Sequence, residues 1–269
     1  MENPFDNMPP RQQPEEKSAT ESYGFAPRPS RRGLYTVLAV IAMLTVAAIF
    51  VRGSWVRIKN TEVTGLITYT KQRVLEEAGI TARSTYFNLN EKTIRRGIED
   101  DRYLRYIGME KLWPNGLILH VQERRRQGNV LFMGVQYVIS SDGMVLESSN
   151  SINLDNGCAK VTGLDLRDIR YGAPLVCQDE SQLEAMTQLF EELEIQGVLG
   201  EIAEMNLSSL DSIYLVTMDG YTANIGSVED MRAKVGTVRA VVQELRRRQA
   251  QGGMIEATVP GQASYRPIQ

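Results

Sequence analysis

The sequence predicts an α+β protein with one apolar helix near its start. Three observations carry this: one uncharged stretch long enough to cross a bilayer, a β-α-α-β-β order just after it, and a strand-rich remainder interrupted by two amphipathic helices. The totals agree with a folded chain. Its 269 residues are 42% hydrophobic and 23% charged, with 30 basic and 33 acidic residues giving a net charge of −3. That balance provides no broad positive field for nucleic acid. The short basic runs Arg124-Arg125-Arg126 and Arg246-Arg247-Arg248 are flanked by acids or fall at a helix end.

Residues 1–32 hold six of the ten prolines and few apolar side chains, which predicts a disordered tail that cannot bury enough surface to offset its ordering entropy. Residues 33–51, GLYTVLAVIAMLTVAAIFV, contain no charge. At ~1.5 Å per residue such a run spans a hydrocarbon core of ~30 Å, so it is predicted to be a membrane helix. Arg31 and Arg32 border one end, and Tyr35 and Trp55 fall near the two interfaces as anchors. Charge alone leaves the orientation open, because Arg28, Arg31 and Arg32 are matched by Arg52, Arg57 and Lys59. A short tail inside and a large domain outside is the expected topology. Cys158 and Cys177 would then both lie outside, where either a disulfide or two buried thiols fits them. Their spacing, with a single histidine in the chain, does not suit a metal site.

Residues 52–125 parse by punctuation. Val56, Ile58 and Val63 suit a strand that turns at Gly65. Thr70 caps a helix with Val74, Leu75 and Ala78 on one face and a stop at Gly79, and Asn90 caps a second with Ile94 and Ile98 one turn apart. Two strands follow, Leu104 to Lys111 and Gly116 to Glu123, joined at Pro114-Asn115-Gly116. Residues 126–269 read mostly as strand, with hairpins around Asp142-Gly143 and Asp219-Gly220. One helix is expected to open at Ser181, with Leu183, Met186, Leu189, Phe190 and Leu193 facing the core. Another is expected at Ser227, with Met231, Val235, Val238, Val242 and Leu245. Met254 to Val259 then reads as a last strand with no partner after it, stopped by Pro260-Gly261.

The β-α-α-β-β unit resembles a POTRA domain. Its hairpin WPNGLILHVQER and its opening NTEVTGLITYTKQRVLEEAGI, with IGSVEDMRAKVGTVRAVVQEL and GGMIEATVPGQASYRP near the end, are similar to the FtsQ/DivIB cell-division family. The resemblance implies a single-pass protein with its N-terminus in the cytoplasm and its POTRA and β domains outside, enriched at the division septum. It implies a non-catalytic scaffold without cofactor or metal, whose partners are FtsB/DivIC-type and FtsL-type division proteins. By the same resemblance a partner segment adds to the sheet edge at Ile255, Glu256, Ala257, Thr258 and Val259, with Tyr265 and Arg266 providing selectivity. No catalytic residue is expected. His120 is predicted to be an exposed strand residue without a nucleophile beside it, and Asp100 and Asp101 a solvated helix end. A membrane-anchored peptidoglycan-acting enzyme and a POTRA-bearing transport component are the rival readings.

Overall fold

The structure is a computed structural model that describes residues 31–54, 57–150 and 157–267. The predicted tail 1–32 therefore falls almost wholly outside the described residues, as does Trp55. The chain divides after Gly53. The first unit contains all but the last residue of helix α1, Arg31–Ser54. Its described side chains, Gly33 to Ile49, carry no charge and are all exposed. The hydroxyls of Thr36 and Thr45 donate to the carbonyls of Gly33 and Ala42, both at 2.8 Å, so they need no outside partner. Among the described residues no helix is long and apolar enough to cross a membrane.

The second unit holds two hydrophobic cores. The smaller is built on a three-stranded sheet of order β1-β3-β2, from β1 (Asn60–Thr64), β2 (Leu104–Leu112) and β3 (Gly116–Glu123). β1 runs parallel to β3, and β2 is antiparallel to it. Helices α2 (Lys71–Glu77) and α3 (Glu91–Glu99) cover one face. Thr70 and Asn90 cap them as predicted: the Thr70 hydroxyl accepts from the Arg73 amide, and the Asn90 side chain from that of Lys92. Val74, Ile94 and Ile98 pack on Leu104, Leu117, Leu119 and Val121. Ile58 joins this core but precedes the strand, its amide donating to the Ser84 carbonyl at 3.1 Å. Gly65 ends β1 at φ +85°, where an added Cβ would lie 1.9 Å from the Val121 carbonyl oxygen. Only glycine fits both the angle and the space.

The larger core fills a nine-stranded sheet of order β14-β13-β12-β11-β10-β7-β4-β5-β6. Its strands are β4 (Gly128–Phe132), β5 (Val135–Ile139), β6 (Val145–Ser149), β7 (Ala159–Thr162), β10 (Ile202–Asn206), β11 (Ile213–Thr217), β12 (Tyr221–Gly226), β13 (Gly253–Val259) and β14 (Gln262–Arg266). A small ribbon of β8 (Leu166–Asp168) and β9 (Val176–Cys177) lies apart. Helices α4 (Glu180–Ile195) and α5 (Met231–Arg247) cover one face of the large sheet. Met186, Leu189, Phe190 and Leu193 from one, and Val235, Val238, Val242 and Leu245 from the other, share a core with Val161, Met205, Leu215 and Ile255. Both stripes are core, as their spacing predicts.

Four expectations need correction. The cap of α4 is Asp179, whose carboxylate accepts the Ser181 amide at 3.0 Å, so the helix starts earlier than Ser181. α5 starts after Asp230, which is left-handed and makes no side-chain cap, while Ser227 instead accepts the Lys234 ammonium at its carbonyl, 3.1 Å away. The segment around Asp142-Gly143 is two hairpins, since a turn at Met133-Gly134, both at positive φ, separates β4 from β5. Finally, Met254–Val259 is not the last strand. Pro260 and Gly261, the latter at φ +72°, form a tight turn that folds β14 back on β13 with Val259 opposite Gln262.

Candidate partner-binding surface

Because β14 exists, β13 is an interior strand: it pairs with β12 on one side and β14 on the other. Ile255 and Ala257 are fully buried under α5, so their side chains hold the fold together. Glu256 is half-buried on the other face, and Thr258 and Val259 are exposed near the turn. The backbone edge predicted for β13 has moved one strand outward.

β14 is held from the helix side. The Tyr265 ring lies over Gly253, where an added Cβ would approach it to 2.5 Å, and its hydroxyl donates to the Gly252 carbonyl at 2.8 Å. It meets the Tyr221 ring edge-on at 6.4 Å, and the Tyr221 hydroxyl donates to the Ala250 carbonyl. The Gly261 amide donates to the Thr237 hydroxyl of α5 at 2.9 Å, fixing the turn. Tyr265 thus positions the strand, whereas Gln262, Ala263, Ser264 and Arg266 are exposed. In an antiparallel pair alternate residues direct their amide and carbonyl away from the partner, so β14 presents backbone groups to solvent.

The sheet face opposite the helices stays open. Register aligns Glu204, Val216, Thr222, Met254 and Arg266 in one row, and Asn206, Tyr214, Asn224, Glu256 and Ser264 in the next. Tyr214, Val216, Thr222 and Met254 are half-buried and were not singled out from the sequence. Their alternation with core residues was the available signal.

The β6 end is blocked. The Val145 amide donates to the Ala173 carbonyl and its carbonyl accepts from the Gly172 amide, at 3.0 and 3.1 Å. Arg102 Nε donates to the Leu146 carbonyl at 2.7 Å, and the Tyr103 hydroxyl to Glu147 at 2.5 Å. The smaller domain is thereby joined to this edge. Arg124, 7% exposed, reinforces the joint by donating to Asp142 at 2.9 Å and to the Leu104 carbonyl at 2.5 Å. Burial pushes the Asp142 carboxyl up, but the Ser140 hydroxyl and the Arg124 and Arg105 guanidinium groups outweigh it and hold it below its ordinary value.

A cleft of about 150 Å³ lies at this joint, lined among others by Arg105, Glu123, Arg124, Arg125, Asp142 and Glu194. Its charges are committed internally. Glu123 accepts the successive amides of Ile67, Thr68 and Tyr69 at 2.7 to 2.8 Å, and these hold its carboxyl low against the opposing effect of burial. Arg125 faces Glu194 at 3.8 Å. With Asp142 and Glu123 both kept ionised, neither has the raised pKa of a general acid. His120 is half-buried between Thr64 Oγ1, 2.8 Å from Nδ1, and Glu110, 3.3 Å from Nε2 but not aligned for a hydrogen bond. Asp101 accepts from the Tyr69 hydroxyl and from Arg73, so it is an anchor rather than a purely solvated end. Among the described residues no cluster of His, Cys, Asp or Glu suits a metal. No bond joins Cys158 to Cys177 in the structure, and burial pushes both thiols up.

The family model for the POTRA domain, FtsQ-type, matches residues 56–124. These residues contain the whole β1-α2-α3-β2-β3 unit. Cell division protein DivIB of Clostridium tetani is 23% identical over 205 residues, covering 76% of this chain and 77% of the relative. The protein of the same name from Clostridium botulinum is 20% identical over 231 residues, covering 84% and 87%. The chain is thus similar to an FtsQ-type POTRA domain over residues 56–124 and to DivIB cell division proteins over most of its length. DivIB of Brevibacillus brevis is 25% identical over a shorter stretch, 46% of this chain and 48% of its own. The solved major extracytoplasmic domain of the trans isomer of the bacterial cell division protein DivIB from Geobacillus stearothermophilus aligns over 47% of this chain and 97% of its own, at 17% identity and a TM-score of 0.30.

Proposed function

We propose that the chain is a non-catalytic scaffold of the bacterial division machinery that grips FtsB/DivIC-type and FtsL-type partners by accepting a strand along β14. The single observation behind this reading is the asymmetry of the nine-stranded sheet: β6 is occupied by internal contacts, while β14 presents exposed residues and outward backbone groups. The relatives' names support the division role, since each is a cell division protein. A partner strand on β14 would receive main-chain hydrogen bonds for affinity. Arg266, Ser264 and Glu256 beside it would select its side chains.

Helix α1 anchors the chain in the membrane in this reading, with Arg31 and Arg32 on the cytoplasmic side and Tyr35 near that interface. Its helical backbone extends over 24 residues, and the uncharged sequence continues from Gly33 to Val51. The domains beyond it then stand outside the cell at the septum, where partner binding coordinates wall synthesis. The internally paired charges of the cleft favour this scaffold over a wall-acting enzyme.

The test is a fluorescent fusion of the whole chain, imaged in dividing cells beside one ending at Gly261, which removes β14 and leaves β13. Midcell enrichment of the whole chain and its loss from the shortened form, both stably produced, is the expected result. An even membrane signal for the whole chain would remove the division role. Equal midcell signals would move the docking site away from β14.

A further inference from the structure

We propose that the far end of the smaller domain is a second membrane contact, in which Trp113, Phe87 and Leu112 dip into the lipid interface while Arg57, Lys59, Arg83 and Lys111 meet anionic headgroups. This rests on the reading of α1 as a membrane helix. Three segments converge at that end. The Lys59 and Asn60 amides donate to the Asn115 carbonyl at 2.9 and 3.2 Å, and Arg57 bridges to Thr85. The Tyr86 hydroxyl lies 2.5 Å from the Leu112 carbonyl and 2.6 Å from that of Gly116, so the loop carrying Phe87 is pinned to the β2–β3 turn.

The resulting tip is unusually apolar for a solvated surface. Trp113 is 77% exposed, Phe87 70% and Leu112 49%. Arg57, Lys59, Arg83 and Lys111 surround them, all exposed. No acid occurs in residues 57–61, 78–90 or 111–121, the three stretches that build this end. Exposed aromatic rings beside cations, with the flanking acids Glu62 and Glu110 set back opposite Ile118, match the chemistry of a bilayer interface with anionic lipid.

Position commits the surface to lipid. Six residues carry the chain from Gly53 to Lys59, and at most ~3.6 Å per residue lets Lys59 reach no more than about 20 Å from Gly53. The joint to the large sheet is at the other end of the hairpin, at Arg102, Tyr103 and Arg124. β3, with 8 residues, separates the two ends by roughly 25 Å. The tip therefore faces away from the partner-binding sheet, and its contact with lipid would orient β14 relative to the membrane.

The chain has two tryptophans, Trp55 and Trp113, which gives the test. The full chain carrying Trp55→Phe is reconstituted into phosphatidylglycerol-containing vesicles whose lipids are brominated high on the acyl chain. Trp113 emission should shift to the blue and fall at least about twofold against unbrominated vesicles, as for a ring at the headgroup boundary. The companion Trp113→Phe chain reports on Trp55, beside the membrane helix. Quenching of Trp55 without Trp113 would overturn the tip contact and leave the helix reading standing. Quenching of neither, with release of the chain by alkaline wash, would overturn both.

Discussion

The two ends of the nine-stranded sheet solve the same problem in opposite ways. β6 has its backbone groups taken by Gly172, Ala173 and Arg102, and Glu147 accepts the Tyr103 hydroxyl, whereas β14 has firm support behind it and little in front. An unpaired edge invites aggregation, so the contrast makes β14 the edge to test for a partner. Here the closed edge carries contacts that join the two domains. The open edge is where the proposed partner strand would add.

Breaking the closed edge should have the largest effect. Arg124→Ala leaves two carbonyls at the joint without this donor and Asp142 with only the Ser140 hydroxyl and the more distant Arg105, and is expected to lower stability by about 1.5 to 3 kcal/mol in chemical denaturation. A loss below about 1 kcal/mol, as for a surface pair, would show that the joint is not rigid.

The open edge is tested by proline at two adjacent positions, Ala263→Pro and Ser264→Pro. Only one of the two directs its amide outward. That variant should lose at least about tenfold in affinity for the partner strand, ~1.4 kcal/mol, with its melting temperature kept. The other should melt earlier and bind in proportion to its folded fraction. Two variants that both bind normally would place the partner elsewhere.

Acid should act on the closed edge first. The Asp142 carboxyl is held below its ordinary value in the fold, so the unfolded chain binds more protons as pH falls. Its stabilisation is present above the unfolded value of about 4 and is lost as pH drops through the lower, folded one. Asp142→Asn should flatten that part of the stability profile. An unchanged acid slope would point to other carboxylates, Glu123 foremost.

The smallest effect sharpens the assignment of Tyr265. Tyr265→Phe removes one hydrogen bond, to the Gly252 carbonyl, and should cost about 1 kcal/mol of stability. Partner affinity measured by titration should change by less than about twofold, within ~0.5 kcal/mol. A larger loss of binding would return Tyr265 to the selective role expected from the sequence.

Much was legible before any coordinates. Thr70 and Asn90 announced their helices because a cap is a local bond between a side chain and an amide two or three residues on. The core stripes of α4 and α5 were legible because helical periodicity is written in the sequence. The Met133-Gly134 turn was hidden, since methionine rarely takes a positive φ. Asp179 was passed over for Ser181 because both fit a cap and only the backbone angles choose between them.

The sequence by itself determined the element types, the uncharged stretch and the family resemblance, all of which depend on neighbours along the chain. The tertiary structure decided which strand is the edge. Pro260-Gly261 reads equally as a stop or a turn, and only the contacts of Tyr265 with Gly252, Gly253 and Tyr221, and of Gly261 with Thr237, hold the last five-residue strand onto the sheet. Those partners lie twelve to forty-four residues away in sequence. Short strands gain their free energy from such distant packing rather than from their own propensity.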